Sequence, residues 1–324
     1  MRDLINRITK NARELRRWAL RRKVSAFRVY DREIPGYPYV FDVYGRWGVV
    51  SSLARDPSLD EQLRNHWPQF AEVLELEADR LIWRKRERQR GLRQYQKLSE
   101  QPIIDHVAES GLVFEVNLNQ YLDVGLFLDH RKTRVVLGDW AQGRLCLNLF
   151  CYTGAVSVAM AAGGARRVVS MDMSKTYLDW AKRNFFASGL IDDGRHDFVQ
   201  QDVVAWLAQP PSGESFDLIF VDPPSFSNSK RMTGTFDVQR DHQWLLERVG
   251  QRLHPEGVMI FSNNKKGFAL ESAVLPGFAR CDITHWTHPK DFQRRQAHQC
   301  FVFSLSSVSV EDFVRRIKAL GPDY

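Results

Sequence analysis

Apolar and polar positions along this chain follow two rhythms. Beyond residue 135, short apolar runs alternate with helical spacings. Strands are predicted at 144–150, 166–171, 196–200, 216–221 and 257–262, and helices at 155–163, 174–188, 203–208, 238–253 and 270–278. That alternation implies a parallel sheet with helices on both faces. Two more strand-like runs, 280–286 and 299–306, follow with no helix predicted between them. Such a pair most simply makes an antiparallel ladder at the sheet edge. The pattern therefore predicts an α/β, Rossmann-like sheet that is not wholly parallel.

The first third lacks the strand–helix rhythm. Residues 1–22 predict a helix, with Leu4, Ile5, Ile8, Ala12, Leu15 and Ala19 at helical spacing. Short strands are predicted at 27–30, 39–44, 47–53, 81–83 and 113–117, and a helix at 59–78. The expected organisation is a basic α+β RNA-binding domain over 1–120 and an α/β domain over 121–324.

Composition narrows the setting. The chain has 324 residues, 44% of them hydrophobic, which is enough for a real core. No apolar run is long enough to span a membrane. Met1 to Lys23 is Arg-rich without an apolar stretch, so no secretory leader is expected. Cys146, Cys151, Cys281 and Cys300 form no CxxC pair and have no metal-ligand spacing. They read as reduced thiols in a cytoplasmic protein, with no metal site expected. His242, His285, His288 and His298 show no ligand spacing either, and Asp241-His242 reads as a structural part of a helix.

Charge adds a partner class. The net charge is +7 and the pI about 9.3, which favours a polyanion. The excess is clustered. One cluster runs from Arg2 to Lys23 on the first helix. Another runs from Arg80 to Lys97 and includes Arg84, Lys85, Arg86, Arg88, Arg90, Arg93 and Lys97, interleaved with Trp83 and Tyr95. Cations with stacking rings suit a nucleic-acid backbone with exposed bases.

Candidate chemistry concentrates at the ends of the predicted strands. The run Asp217-Leu-Ile-Phe-Val-Asp222 ends in Pro223-Pro224-Ser225-Phe226. Two prolines stop the strand, because each fixes φ and lacks a donor. A rigid, carbonyl-rich lip with an acid before it and a ring after it is a receptor for a flat base. Open α/β sheets bind ligands at this edge. Upstream, Asn148-Leu-Phe-Cys-Tyr-Thr-Gly154 leads from a strand into a helix with a single glycine. A pyrophosphate needs several close backbone donors and hence several glycines. S-adenosyl-L-methionine carries no phosphate, so one glycine suffices. Asp172 ends the second strand about 20 residues beyond the loop, placed to accept from ribose hydroxyls. Asp202 ends the third, placed to accept from an adenine amino group, and Asp222 completes the edge. Cys151 within the loop reads as a small filler.

These segments resemble a known family. Gly125-Leu-Phe-Leu-Asp-His-Arg131, Asn148 to Gly154, Asp222-Pro-Pro-Ser-Phe-Ser-Asn-Ser-Lys-Arg-Met232, Phe236 to His242, Phe261-Ser-Asn-Asn-Lys-Lys-Gly-Phe268 and Arg86 to Leu98 are similar to the RlmK methyltransferases. RlmK forms the C-terminal half of the fused RlmK/L enzyme in many bacteria. The resemblance covers nearly the whole chain. It implies a class I (Rossmann-like) fold and transfer from S-adenosyl-L-methionine to N7 of a guanine in 23S rRNA, protein-free or in an early assembly intermediate. Cys151 and Ser225 stand where Ser and Thr are expected. The fused enzyme's second module, with its THUMP domain, has no counterpart here, so a stand-alone enzyme with a separate partner for RNA delivery is expected. Carried over by position, the cofactor residues are Phe127, Arg131, Asn148, Phe150, Tyr152, Thr153, Gly154, Asp172, Met173, Asp202, Val203 and Asp222. Lys230, Arg231 and Lys265 join the second cluster as RNA contacts.

The acceptor atom also has a chemical argument. Cytosine C5 becomes nucleophilic only after a thiolate adds at C6, and no cysteine lies near the predicted lip. Guanine N7 offers a lone pair and no proton, so orientation can supply much of the rate. Asp222, Pro223, Phe226 and Asn263 are the catalytic candidates: Phe226 to stack, Asp222 and the Pro223 carbonyl to hold the amino edge, Asn263 or Lys265 to donate to O6. The competing readings are a cytosine-C5 or exocyclic-amine RNA methyltransferase, and a non-catalytic RNA-binding or remodelling factor.

Overall fold

A helix with one apolar stripe needs a sheet to cover it, and the N-terminal part of the chain provides one. The computed structural model describes residues 1–86, 101–190, 194–227 and 234–324. These divide into two units, Met1–Leu128 with Lys290–Arg295, and Asp129–Pro289 with Gln296–Tyr324.

In the first unit, α1 (Arg2–Arg22) buries Leu4, Ile8, Leu15 and Trp18. It stops at Lys23, which takes a left-handed φ of 52°. Strands β1 (Ala26–Asp31), β2 (Tyr39–Tyr44) and β3 (Trp47–Ser52) form an antiparallel meander. The single helix expected at 59–78 is two, α2 (Pro57–Arg64) and α3 (Trp67–Val73). Pro68 falls in the first turn of α3, where its missing N–H is harmless, but it cannot extend α2. Next, β4 (Leu81–Lys85) joins β3 in parallel to complete a four-stranded sheet. A hairpin of β5 (Ile104–Glu109) and β6 (Leu112–Asn117) follows. β5 escapes the sequence pattern because Asp105, His106 and Glu109 break its apolar alternation. The segment Lys290–Arg295 belongs to this unit. Asp291 Oδ2 accepts from the Arg28 backbone N–H at 3.0 Å, the Arg28 guanidinium lies 4.6 Å from the Phe292 ring centre, and Arg294 donates to Glu33 at 2.6 Å.

The second unit begins with α4 (Arg131–Ala141) and then alternates: β7 (Leu145–Leu149), α5 (Ala155–Ala162), β8 (Arg167–Asp172), α6 (Lys175–Ala187), β9 (His196–Gln200), α7 (Val203–Ala208) and β10 (Phe216–Val221). Two-residue strands β11 (Phe226–Ser227) and β12 (Phe236–Asp237) pair before α8 (Val238–Gly250). The chain continues through β13 (Leu253–Asn263), β14 (Ala279–Asp282), α9 (Thr284–Thr287), β15 (Gln299–Ser304) and α10 (Ser307–Ala319). The large sheet has the order β14-β15-β13-β10-β7-β8-β9. Among neighbours, only the pairings of β15 are antiparallel. β7 and most of β10 and β13 are buried on both faces, which explains their continuous apolar runs.

Side-chain caps fix where several helices start. Ser174, Asp202, Asp237 and Ser306 each accept from backbone N–H groups at the first turns of α6, α7, α8 and α10. The helix expected at 270–278 is absent: Pro276 disfavours helical backbone at Leu275, which takes φ 54°, and the segment folds as turns. The last two strands do pair antiparallel, but the first stops at Asp282 and α9 follows it.

Candidate functional site

Strand register builds the site. Met171 pairs with Val199 and with Leu149, and Val221 pairs with both Leu149 and Phe261. The residues one step beyond, Gln200, Asp172, Phe150, Asp222 and Ser262, therefore line one carboxyl-end edge. Strand order reverses between β7 and β10, where doubly wound sheets open a crevice for ligand.

The loop after β7 holds three left-handed residues in five: Phe150 at φ 56°, Tyr152 at 52° and Gly154 at 70°. Non-glycine residues in that region are strained, and such strain concentrates at ligand sites. Backbone bonds enforce the turn, with Cys151 N–H donating to Met171 O at 3.0 Å and Gly154 N–H to Cys151 O at 2.8 Å. A Cβ on Gly154 would lie 2.6 Å from Ala181 Cβ, so glycine also lets α5 and α6 approach closely. Asp172 clamps the loop. Its Oδ2 accepts from Tyr152 N–H at 3.0 Å and its Oδ1 from Ser174 N–H at 2.8 Å. Each oxygen keeps a lone pair for a ligand hydroxyl. Burial raises this carboxyl to about 6, against the backbone donors that lower it.

The other cofactor candidates divide by exposure. Phe150, Tyr152, Met173 and Asp202 are partly exposed, whereas Asn148, Thr153, Gly154 and Val203 are buried. Asn148 Nδ2 donates to Ser157 Oγ at 2.9 Å, and its Oδ1 is buried with no hydrogen-bond partner among the described residues. Asn184 donates to the Thr153 carbonyl. Asp202 Oδ1 caps α7 by accepting from Val204 N–H at 2.9 Å. Phe127 is 38% exposed, and Arg131 is fully buried.

At the acceptor lip, Pro223 is buried and Pro224 exposed. Phe226 is 50% exposed, in contrast to a ring used to close the loop. Ser225 Oγ donates to Asn264 Oδ1 at 2.6 Å, tying the lip to the end of β13. Asn263 is buried, with Oδ1 accepting from Lys265 N–H and Nδ2 without a hydrogen-bond partner among the described residues.

Several cations expected to meet RNA are already engaged. Arg84 is buried, with its guanidinium donating to the carbonyls of Tyr121 and Leu122. Lys85 Nζ donates to Asp60 at 2.5 Å and Ala54 O at 2.7 Å. Lys265 pairs with both oxygens of Asp237 at 2.6 and 2.8 Å. These three hold the fold rather than an open surface. Arg86 is exposed. Arg88, Arg90, Arg93, Tyr95, Lys97, Lys230 and Arg231 lie outside the described residues. His242 is buried in α8, bonding to Gln239 O and accepting from Glu271 N–H.

Sequence spacing missed one group. Asp129, His130 and His298 bring ligand-type atoms within 4.8 Å of one another, and His130 Nε2 lies 3.7 Å from Asp222 Oδ2. No local spacing pairs His130 with His298; the sheet brings them together.

The strand order, the reversed β15 and the strained loop over Asp172 define a class I methyltransferase fold. A family model described as S-adenosylmethionine-dependent methyltransferase matches residues 70–280. The chain belongs to that family, and its cofactor is S-adenosyl-L-methionine. It is 42% identical over 312 residues to "Ribosomal RNA large subunit methyltransferase K/L" of Psychromonas ingrahamii, covering 93% of this chain and 41% of that one. The protein of the same name from Vibrio cholerae is 43% identical, over 94% of this chain and 44% of that one. The chain thus spans less than half the length of these relatives. The crystal structure of SMU.776 complexed with SAH is 24% identical with a TM-score of 0.71, covering 93% of this chain and 81% of that one.

Proposed function

We propose that this chain transfers a methyl group from S-adenosyl-L-methionine to N7 of a guanine in 23S rRNA. The observation that carries this reading is the half-exposed Phe226 ring just beyond Asp222 and Pro223. Phe226 stacks on the flipped base. Stacking is worth about 1–3 kcal/mol per base, comparable to the few kcal/mol that flipping costs. The Asp222 carboxylate and the Pro223 carbonyl accept from the amino edge. Asn263 Nδ2, which has no hydrogen-bond partner among the described residues, donates to O6. The N7 lone pair forms the new N–C bond as the S–C bond breaks, and its electrons return to sulfur. Positive charge moves onto the purine, where Asp222 compensates it. No base is needed because N7 carries no proton.

The substrate in this reading is cytoplasmic 23S rRNA, protein-free or early in assembly. Two features support RNA binding. Lys10, Arg13, Arg17 and Arg21 line the exposed side of α1, and two relatives are named for ribosomal RNA. What those relatives carry beyond this chain would come from a separate partner or from the rest of a longer polypeptide.

Cysteine chemistry points away from the C5 alternative. Burial pushes Cys146 up to about 12 and Cys151 and Cys300 well above the ordinary thiol value, and Cys281 is raised too. A thiol so shifted supplies little thiolate at neutral pH. A variant with all four cysteines replaced by serine or alanine is expected to keep methyl transfer within about threefold. Loss of transfer with cofactor binding intact would restore the covalent route. Nuclease digestion and mass spectrometry of methylated 23S rRNA test the acceptor atom. A methyl group found on C5 or an exocyclic amine would overturn N7, and tight RNA binding without turnover would favour a non-catalytic factor.

A further inference from the structure

Beside Asp222 three imidazoles form a column. His130 stacks on His298 with ring centres 4.1 Å apart, and His298 stacks on His288 at 4.4 Å, each pair within 13° of parallel. Asp129 Oδ2 accepts from His298 Nδ1 at 2.8 Å. The other nitrogen of His298 lies 2.9 Å from Thr287 Oγ1. His288 donates from Nδ1 to Thr284 O at 2.7 Å and accepts at Nε2 from Ala297 N–H at 2.9 Å. That pattern requires the neutral ring. His130 Nδ1 lies 3.4 Å from Thr133 Oγ1, and His130 Nε2 lies 3.4 Å from Ser262 Oγ. His130 Nε2 also lies 3.7 Å from Asp222 Oδ2.

The cluster contains donors of metal-ligand type, but its geometry opposes chelation. An imidazole binds a metal along a lone pair that lies in the ring plane. The planes of two rings 4.1 Å apart and 13° from parallel do not meet near either ring. Hydrogen-bond direction accounts for the arrangement better. If Thr133 donates to His130 Nδ1, the Nε2 proton of His130 faces Ser262 Oγ and the Asp222 carboxylate. A neutral ring then presents an N–H to a carboxylate that accepts more strongly when ionised.

We propose that His130 is the positioning residue for Asp222: its Nε2 proton, facing Ser262 Oγ and the carboxylate, holds Asp222 ionised with an oxygen turned to the incoming base. The role of Asp222 rests on the function proposed above; the geometry around His130 does not. His298, held by Asp129 and stacked between His130 and His288, fixes the plane of the His130 ring. The charged and titratable groups around Asp222 come from four segments. They are Asp129, His130 and Arg134 before and within α4, His288 after α9, His298 and Cys300 at β15, with the Ser262 hydroxyl on β13. Burial sets Asp222 at about 6, although a quarter of its side chain stays open; His298 and Ser262 lower it and Asp129 raises it. Burial and His298 hold His130 well below its ordinary value, so it remains a neutral donor. Asp222 is ionised above about 6. Transfer should therefore decline as pH falls through that value and level off above it.

The test is single-turnover methyl transfer to 23S rRNA by the whole chain across pH about 5 to 9, with cofactor affinity measured separately. His130→Phe keeps a ring to stack and removes the donor; His130→Gln returns an N–H near the Nε2 position. The Phe variant should lose about 10- to 100-fold in rate on the plateau, and the Gln variant should recover most of it, with cofactor affinity unchanged in both. Equal losses in the two variants would reduce His130 to packing and overturn the proposal, as would a Phe variant with wild-type rate. Should either His130 variant fail to fold, the tautomer of His130 in the unaltered chain, read by long-range proton–nitrogen NMR, decides the matter: a proton on Nε2 is expected, and a proton on Nδ1 overturns the proposal. A methyl group mapped to an atom other than N7 would overturn the function reading alone, because the Phe and Gln rates are compared on whatever atom is methylated.

Discussion

Phe226→Ala is expected to lower methyl transfer by roughly 10- to 100-fold while leaving S-adenosyl-L-methionine affinity within about twofold. The ring is 50% exposed and sits in a two-residue strand pinned by Asp237 and Phe236 across the ladder. Its removal deletes little core, so stability should change little. What goes is the stacking platform, worth about 1–3 kcal/mol per base. Because a base bound only in the flipped state meets that ring, the loss should appear in turnover and RNA affinity. Radiolabelled methyl transfer beside calorimetric cofactor binding checks this. Equal loss of both would mean that Phe226 supports the cofactor site instead.

Asp172→Ala is expected to act the other way round, weakening cofactor binding by about 10- to 100-fold, since a hydrogen bond to a charged group contributes about 1.5–3 kcal/mol. Two backbone donors, Tyr152 N–H and Ser174 N–H, would also lose their acceptor. The first of these lies inside the strained loop, so the turn that shapes the pocket would loosen as well. Calorimetric titration with S-adenosyl-L-methionine and with S-adenosylhomocysteine measures the effect. Asp172→Asn separates the two contributions, because an amide oxygen still accepts one bond but carries no charge. Unchanged affinity in the Ala variant would remove Asp172 from the site.

The parts of this fold that could be read in advance are those decided by local pattern. The doubly buried strands β7, β10 and β13 announce themselves as apolar runs. Their ends carry the acids of the site because register aligns them. α10 carries a local signal too, beyond the alternation that predicts the other elements: Ser306 caps it, and Val310, Phe313 and Ile317 repeat on one face. α4 was not legible. Its first turn, Arg131-Lys132-Thr133-Arg134, is buried although every residue is polar, and Lys132 Nζ donates to Gly321 O at 2.6 Å. An amphipathic pattern cannot show a polar face that packs inward. The same limit hid the engaged cations. Nothing near Lys265 in sequence says that Asp237 neutralises it, and nothing near Arg84 names the Tyr121 carbonyl. Both are tertiary pairings, as is the approach of His130 to Asp222.

The N-terminal unit is not one stretch of chain. Lys290–Arg295 returns to it from within the methyltransferase half, bringing Asp291 to Arg28 and Arg294 to Glu33 and Asn11. A gene cut after codon 128 would therefore encode a unit without these partners, and a catalytic half bearing an orphaned loop. Such a pair resists modular shuffling. In recombination or fusion engineering the two halves should travel as one cassette, and crossover points belong outside both.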